Sequence, residues 1–401
     1  MNLFKSTLII ILSLMLTNCT NNDDKLKARA NELAQKFIIT DGHIDLPWRL
    51  HKNGYEDISV RTPGGDFDYV RAKQGGLDAP FMSIYVPATY QVTGGAKEMA
   101  LELMNSVKRI TTDHPDKFEM AYSISDVERI FNEGKIALPM GMENGAPIEG
   151  DLDNIQSFFD EGIRYITLTH SEDNDICDSS YNLGERTHKG LSDFGKEVVL
   201  EMNRVGIMVD ISHVSDDAFY QIMDVTQVPA IASHSSARHF TPGFERNMSD
   251  DMIKRLAENG GVIQINFGSS FVTQESQDKR KKNSEDVSAF AKENNLESDD
   301  PRVKEFAKKV AIDNPVFCDV TDVADHFDHV VKLVGIDHVA FGSDYDGVGD
   351  TLPYGLKDAS TFPNLIYHLL KRGYSEEDIE KICYKNIWRV WKATEEFAEL
   401  N

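Results

Sequence analysis

The chain has 401 residues, 41% of them hydrophobic, and a formal net charge of −24. That length suits one large barrel or two ordinary domains, with enough apolar content for a sizeable core. The charge argues against nucleic acid or an anionic membrane surface as a partner, because both are polyanions.

At the start of the chain, Lys5 precedes an apolar run, Leu8 to Leu16, too short to span a bilayer as a stable anchor. It ends in Leu16-Thr17-Asn18-Cys19 and resembles a bacterial lipoprotein signal, in which the cysteine is lipidated after cleavage. The layout predicts a signal peptide over residues 1–18, lipidation at Cys19, and a tether with a short helix over 19–35. The protein is then exported and held at a bacterial membrane, on the periplasmic or the outer face. Asn18 departs from the small residue usual at that position, and a plain signal peptide with a coincidental cysteine is the competing reading. Cys177, Cys318 and Cys383 remain, odd in number and widely spaced, with neither a disulfide framework nor a C-x-x-C pair.

From about Lys36 short apolar runs alternate with longer amphipathic stretches, the pattern of repeated βα units. Strands are expected at Phe37–His43, Phe81–Val86, Ile136–Met142, Tyr165–Thr169, Gly206–Ile211, Ala230–Ser233, Val262–Phe267 and Val339–Gly342. Eight of them predict a closed (β/α)₈ TIM-like barrel over residues 36–401. Helices are expected at Ser192–Arg204, Ser215–Val225 and Ser249–Asn259, each opened by a serine suited to an N-cap. The charged segment Gln277–Asn314 breaks the rhythm. It reads as a helical insertion between the seventh and eighth strands on the mouth side, a solvated helix pair ahead of a substrate lid.

Several strand-like runs end in metal-ligand residue types. His43 and Asp45 lie two apart, so a strand points both the same way. Glu143 closes a run in which an unpaired carboxylate would be costly to bury. His213 and His234 each follow a serine at the ends of consecutive strands. Singly, each has a bland explanation, such as a polar strand end for His43-x-Asp45 or an ion pair with an arginine for Glu143. Together, three imidazoles and two carboxylates are what a pair of divalent ions sharing one water requires. Such ligands without thiolate suit zinc, with manganese or cobalt as substitutes. His170 and Asp344 also close strand-like runs. An imidazole there can hold an oxyanion, and a carboxylate can move a proton from water to a leaving amine. Asp346 reads as a loop cap. His326 and His329 read as surface or outer groups, and His51, His114, His188, His239, His338 and His368 have no partner at metal spacing.

Seven segments, in order, resemble the membrane dipeptidase (renal dipeptidase) family of M19 peptidases, in its bacterial branch. They are Asp41-Gly42-His43-Ile44-Asp45-Leu46-Pro47-Trp48, Leu168-Thr169-His170-Ser171, Gly190 to Gly195, Val209 to Ser215, Ser233 to Ala237, Arg246-Asn247, and Gly342 to Gly347. The resemblance implies a zinc-dependent dipeptidase with two Zn²⁺ per chain, one held by His43, Asp45 and Glu143, the other by Glu143, His213 and His234. A bridging hydroxide would attack the peptide carbonyl. Asp344 would shuttle the proton, His170 would steady the tetrahedral intermediate, and Arg246 would grip the substrate's C-terminal carboxylate. The implied partner is a free dipeptide, with a D-residue at its C-terminal position as an open option, and a homodimer is an open assembly. Asn144 stands where the family often has glycine, and the disulfides of animal members have no counterpart. A related barrel amidohydrolase acting on N-acyl amino acids or lactams, or a non-catalytic binding lipoprotein, are the alternatives.

Overall fold

The computed structural model describes residues 22–400, so the signal segment and Cys19 lie outside the described residues. Residues 22–36 form a helix whose Ala30, Leu33 and Ala34 are buried in the main core. Ten strands follow: β1 (Ile39–Ile44), β2 (Leu77–Tyr85), β3 (Phe118–Met120), β4 (Ile136–Leu138), β5 (Met140–Glu143), β6 (Ile163–Thr167), β7 (Met208–Asp210), β8 (Ile231–Ser235), β9 (Val262–Ile265) and β10 (Val339–Phe341). Eight of them close a parallel barrel in the order β1, β2, β5, β6, β7, β8, β9, β10 and back to β1. Helices cover the intervals between them, which makes this the expected (β/α)₈ barrel.

One expected strand is really two. Ile136–Met142 is interrupted at Pro139, which has no N–H to extend a ladder. Its first half, β4, pairs with β3 in a separate two-stranded parallel sheet, and its second half, β5, enters the barrel between β2 and β6. That break delivers Glu143 to the barrel mouth.

The three serine-capped helices form as expected. Ser192, Ser215 and Ser249 accept backbone N–H bonds from Gly195, Ala218 and Met252, each satisfying a donor the first turn leaves open. The interior of the barrel is tightly filled. A Cβ on Gly42 or on Gly342 would meet the Ser233 carbonyl oxygen at 2.4 or 2.2 Å, so β1 and β10 approach β8 through glycine. A second apolar cluster joins Phe81, Tyr165, Met208, Ile231, Val262 and Ala340 to Ile387, Trp388 and Trp391 of the last helix, Asn386–Leu400.

The insertion lies between β9 and β10, the seventh and eighth barrel strands, as helices Gln274–Glu293 and Pro301–Asp313. Phe290 stacks on Phe306 with ring centroids 4.2 Å apart, and Asn283 and Asn314 exchange hydrogen bonds. Most of its surface is solvated, but Arg280 reaches the barrel mouth.

Candidate metal centre

Every side chain singled out for metal or substrate chemistry sits at the C-terminal end of a barrel strand or in the loop after it. His43 lies on β1 and Asp45 just beyond it. Glu143 ends β5, His170 follows β6, His213 follows β7, His234 lies on β8, and Asp344 follows β10. This end of the barrel is where such folds carry their chemistry.

Glu143 is the hinge of the arrangement. Its Oε1 lies 3.0 Å from His213 Nε2 and 3.3 Å from His234 Nε2, and those two nitrogens are 2.9 Å apart. Its Oε2 lies 3.5 Å from His43 Nε2, which is 3.4 Å from Asp45 Oδ2. Ligands on one tetrahedral zinc with bonds of about 2.0 Å stand roughly 3.3 Å apart, so Glu143, His213 and His234 have metal-ligand spacing throughout, and His43 has it to both Asp45 and Glu143. His43 Nε2 and Asp45 Oδ1 are buried without a hydrogen-bond partner, a cost that a bound cation would relieve. His170 Nε2 stands further off, 3.7 Å from Glu143 Oε1.

The surrounding shell fixes which nitrogens face the centre. Tyr165 Oη donates to the Gly42 carbonyl at 3.0 Å, so it accepts from His43 Nδ1 at 2.8 Å. Ser233 Oγ donates to Asp210 Oδ2 at 2.6 Å and accepts from His234 Nδ1 at 2.7 Å. Both imidazoles thus use Nδ1 as a donor and direct Nε2 inward, the orientation a metal ligand needs. Asp210 Oδ1 also accepts the N–H groups of Ser212 and Ser233, locking β7 to β8. Asp41 does the same for β1, taking the N–H groups of His43 and Ser343.

Electrostatics at Glu143, His213 and His234 agree with a ligand set, whereas at His43 burial is outweighed by Tyr165, Glu143 and Asp45, which hold that imidazole well above its ordinary range. Burial pushes His213 and His234 well below the ordinary imidazole range, which keeps them neutral. Burial alone would raise Glu143, but His43 and His170 outweigh it and hold the carboxyl well below its usual range. Burial, with the Asp45 carboxylate next, pushes Asp344 well above the usual carboxylate range. Asp344 Oδ2 accepts from Asn266 Nδ2 at 2.7 Å, and a Cβ on Gly347 would lie 2.1 Å from Asp45 and 2.2 Å from Asp344.

Arg246 is only 3% exposed. Its Nη1 donates to Ser235 Oγ and its Nη2 to the His234 carbonyl, while Nε has no partner. Its loop is braced by Arg238, which forks onto Asp216 and also binds the Asn247 and Glu245 carbonyls. Asp45, Glu143, His170, His213, His234, Arg246 and Asp344 border one cavity of about 480 Å³, with Trp48, Tyr85, Tyr181, Phe271 and Arg280 on its walls. Asp346 supports the loop as expected, its carboxylate taking Arg49 Nη1 and the Asp66 N–H.

Two expectations need correcting. His239 does have partners at metal spacing: it stacks on His329, which binds Asp250 at 2.7 Å. His326 is fully buried rather than superficial, accepting the Ala237 N–H and donating to the Val272 carbonyl. Asp41, Tyr165, Asp210, Ser233 and Asn266 are further anchors of the centre, none of them among the candidates named from sequence. Asn266 directly follows β9, inside the run expected as the seventh strand.

A family model described as membrane dipeptidase, peptidase family M19, matches residues 27–401. Dipeptidase 3 of Mus musculus is 31% identical over 94% of this chain and 69% of its own length. An uncharacterized dipeptidase of Schizosaccharomyces pombe is 31% identical over 92% of this chain and 84% of its own. Among solved structures, the probable dipeptidase PvdM from Pseudomonas aeruginosa superposes with a TM-score of 0.79 at 26% identity. That match covers 94% of this chain and all of the other. The chain belongs to the membrane dipeptidase family, M19, and is a metallo-dipeptidase of that type, a hydrolase acting on peptide bonds.

Proposed function

We propose that the enzyme hydrolyses free dipeptides using two zinc ions, one held by His43, Asp45 and Glu143, the other by Glu143, His213 and His234. The single observation that carries this reading is Glu143, whose Oε2 faces His43 and whose Oε1 faces His213 and His234. When bound, such ions activate water and polarise the scissile carbonyl.

The chain's own groups do the rest. Asp344, held by Asn266 beside Asp45, takes a proton from the attacking water and passes it to the leaving amine. His170, pushed by burial below the ordinary imidazole range, donates a hydrogen bond to the oxyanion as it forms. Arg246 binds the substrate's C-terminal carboxylate and so sets the length of peptide accepted. A cavity of about 480 Å³ is of the size that encloses a small ligand. A D-residue at the C-terminal position is included in the proposal.

The test is a panel of dipeptides with L- or D-residues at the second position, run on enzyme of known metal content. Turnover requiring about two equivalents of zinc, restored by zinc after chelation, supports the reading. Turnover by metal-free enzyme would sink it. We also read the chain as exported and lipid-anchored through Cys19, on the layout of Lys5 to Cys19. Among the described residues no helix is long and apolar enough to cross a membrane. Palmitate labelling that persists in Cys19→Ser would refute the anchor.

A further inference from the structure

Two arginines line the cavity, and neither is paired with a carboxylate among the described residues. This stands out in a chain with 66 acidic and 42 basic side chains. Neighbouring arginines are neutralised, Arg238 by Asp216 and Arg186 by Glu245. Arg246 is the inner cation and is buried. Arg280, from the insertion helix Gln274–Glu293, is the outer one and is exposed at the mouth.

One short helix, Ser269–Val272, positions both. Ser270 Oγ accepts from Arg280 Nη1 at 2.8 Å, and the next residue, Phe271, turns its ring to the Arg246 guanidinium, 5.5 Å from centroid to carbon. Both guanidinium groups share the lining of this one cavity with Tyr181 and Phe271. The Arg280 fork has further N–H groups directed to no protein acceptor, enough for a carboxylate.

The dipeptidase reading already assigns the α-carboxylate to Arg246, and the present inference rests on that reading. We propose that Arg280 receives a second carboxylate, carried on the side chain of the substrate's C-terminal residue. The enzyme then favours dipeptides ending in aspartate or glutamate, and the insertion acts as a specificity element. Because Arg280 is exposed, its contribution is screened by water and salt.

The experiment compares isosteric substrates, Ala-Glu against Ala-Gln and Ala-Asp against Ala-Asn, with both configurations at the second residue. The enzymes are the zinc-loaded wild type, Arg280→Gln and Arg280→Lys. The wild type should show a lower KM for the acidic member of each pair. Arg280→Gln should raise that KM about tenfold and the amide's KM no more than about twofold, with Arg280→Lys between them. The wild-type preference should shrink as salt rises from low to about 0.5 M. Equal KM values within each wild-type pair, or an equal shift of both members in Arg280→Gln, would overturn the role of Arg280 and leave the dipeptidase reading standing. Failure of the wild type to cleave any of the peptides would overturn both.

Discussion

The Tyr165 hydroxyl lies 2.8 Å from His43 Nδ1, with its own proton committed to the Gly42 carbonyl. That pairing holds the His43 ring and its tautomer from inside the barrel. Tyr165→Phe keeps the ring packing against Phe81 but loses the hydroxyl. The variant should fold normally and bind zinc about 10- to 100-fold more weakly at the first ion. Competition with a chromogenic chelator measures it, and wild-type affinity would remove Tyr165 from the support of the centre.

His213→Ala takes one corner from the group formed with His234 and Glu143. The purified variant should lose one zinc equivalent and nearly all activity. Elemental analysis decides, since two retained equivalents would refute His213 as a ligand.

Asp344→Asn keeps the volume of the side chain and a polar contact to Asn266 but cannot exchange a proton. Metal content should stay at the wild-type level while kcat falls by about 10²- to 10⁴-fold. A near-native kcat would exclude Asp344 as the proton carrier.

Arg246→Ala should cut kcat/KM for free dipeptides on the order of 10²-fold, mostly through KM. C-terminally amidated dipeptides, which offer no carboxylate, should change far less. Equal losses on both would show that the residue serves only the loop.

Away from the centre, burial pushes the Asp78 carboxyl up to about 7, against the pull of Lys73 and the Ile39 N–H. Because the folded value exceeds the unfolded one, this group's contribution to stability is fully present below about pH 4 and is lost as pH rises through 7. The loss is up to about 4 kcal/mol. Asp78→Asn should therefore flatten the fall in urea midpoint between pH 5 and 8 and be the more stable protein at pH 8. Parallel pH profiles for the two proteins would contradict this.

The barrel was legible because its strands are buried on both faces and read as short apolar runs, each stopping at a polar residue. The same stops exposed His43, Asp45, Glu143, His213 and His234. Serine caps at 192, 215 and 249 were legible because capping is local chemistry. The break at Pro139 was less so, since Ile136 to Met142 reads as one apolar run and only the pairing partners divide it. Tyr165 and Asp210 escaped notice because an aromatic or an acid inside a strand carries no sign of what it crosses the barrel to meet. His239 and His329 come together only through packing between elements 90 residues apart in the chain, which no spacing rule reaches.

Asn144, His213, Asp344 and Asp346 all hold left-handed backbone angles, with φ of 82, 70, 61 and 66°. Side chains other than glycine adopt that region at a cost of about 1–3 kcal/mol each. These rim residues are four of the seven such residues among those described, the others being Glu149, Lys189 and Asn295, while the apolar plug formed by Trp388 and Trp391 secures the opposite end. Warming or mild denaturant should accordingly relax the rim before the barrel comes apart, and catalytic competence should vanish while the helical signal is still intact.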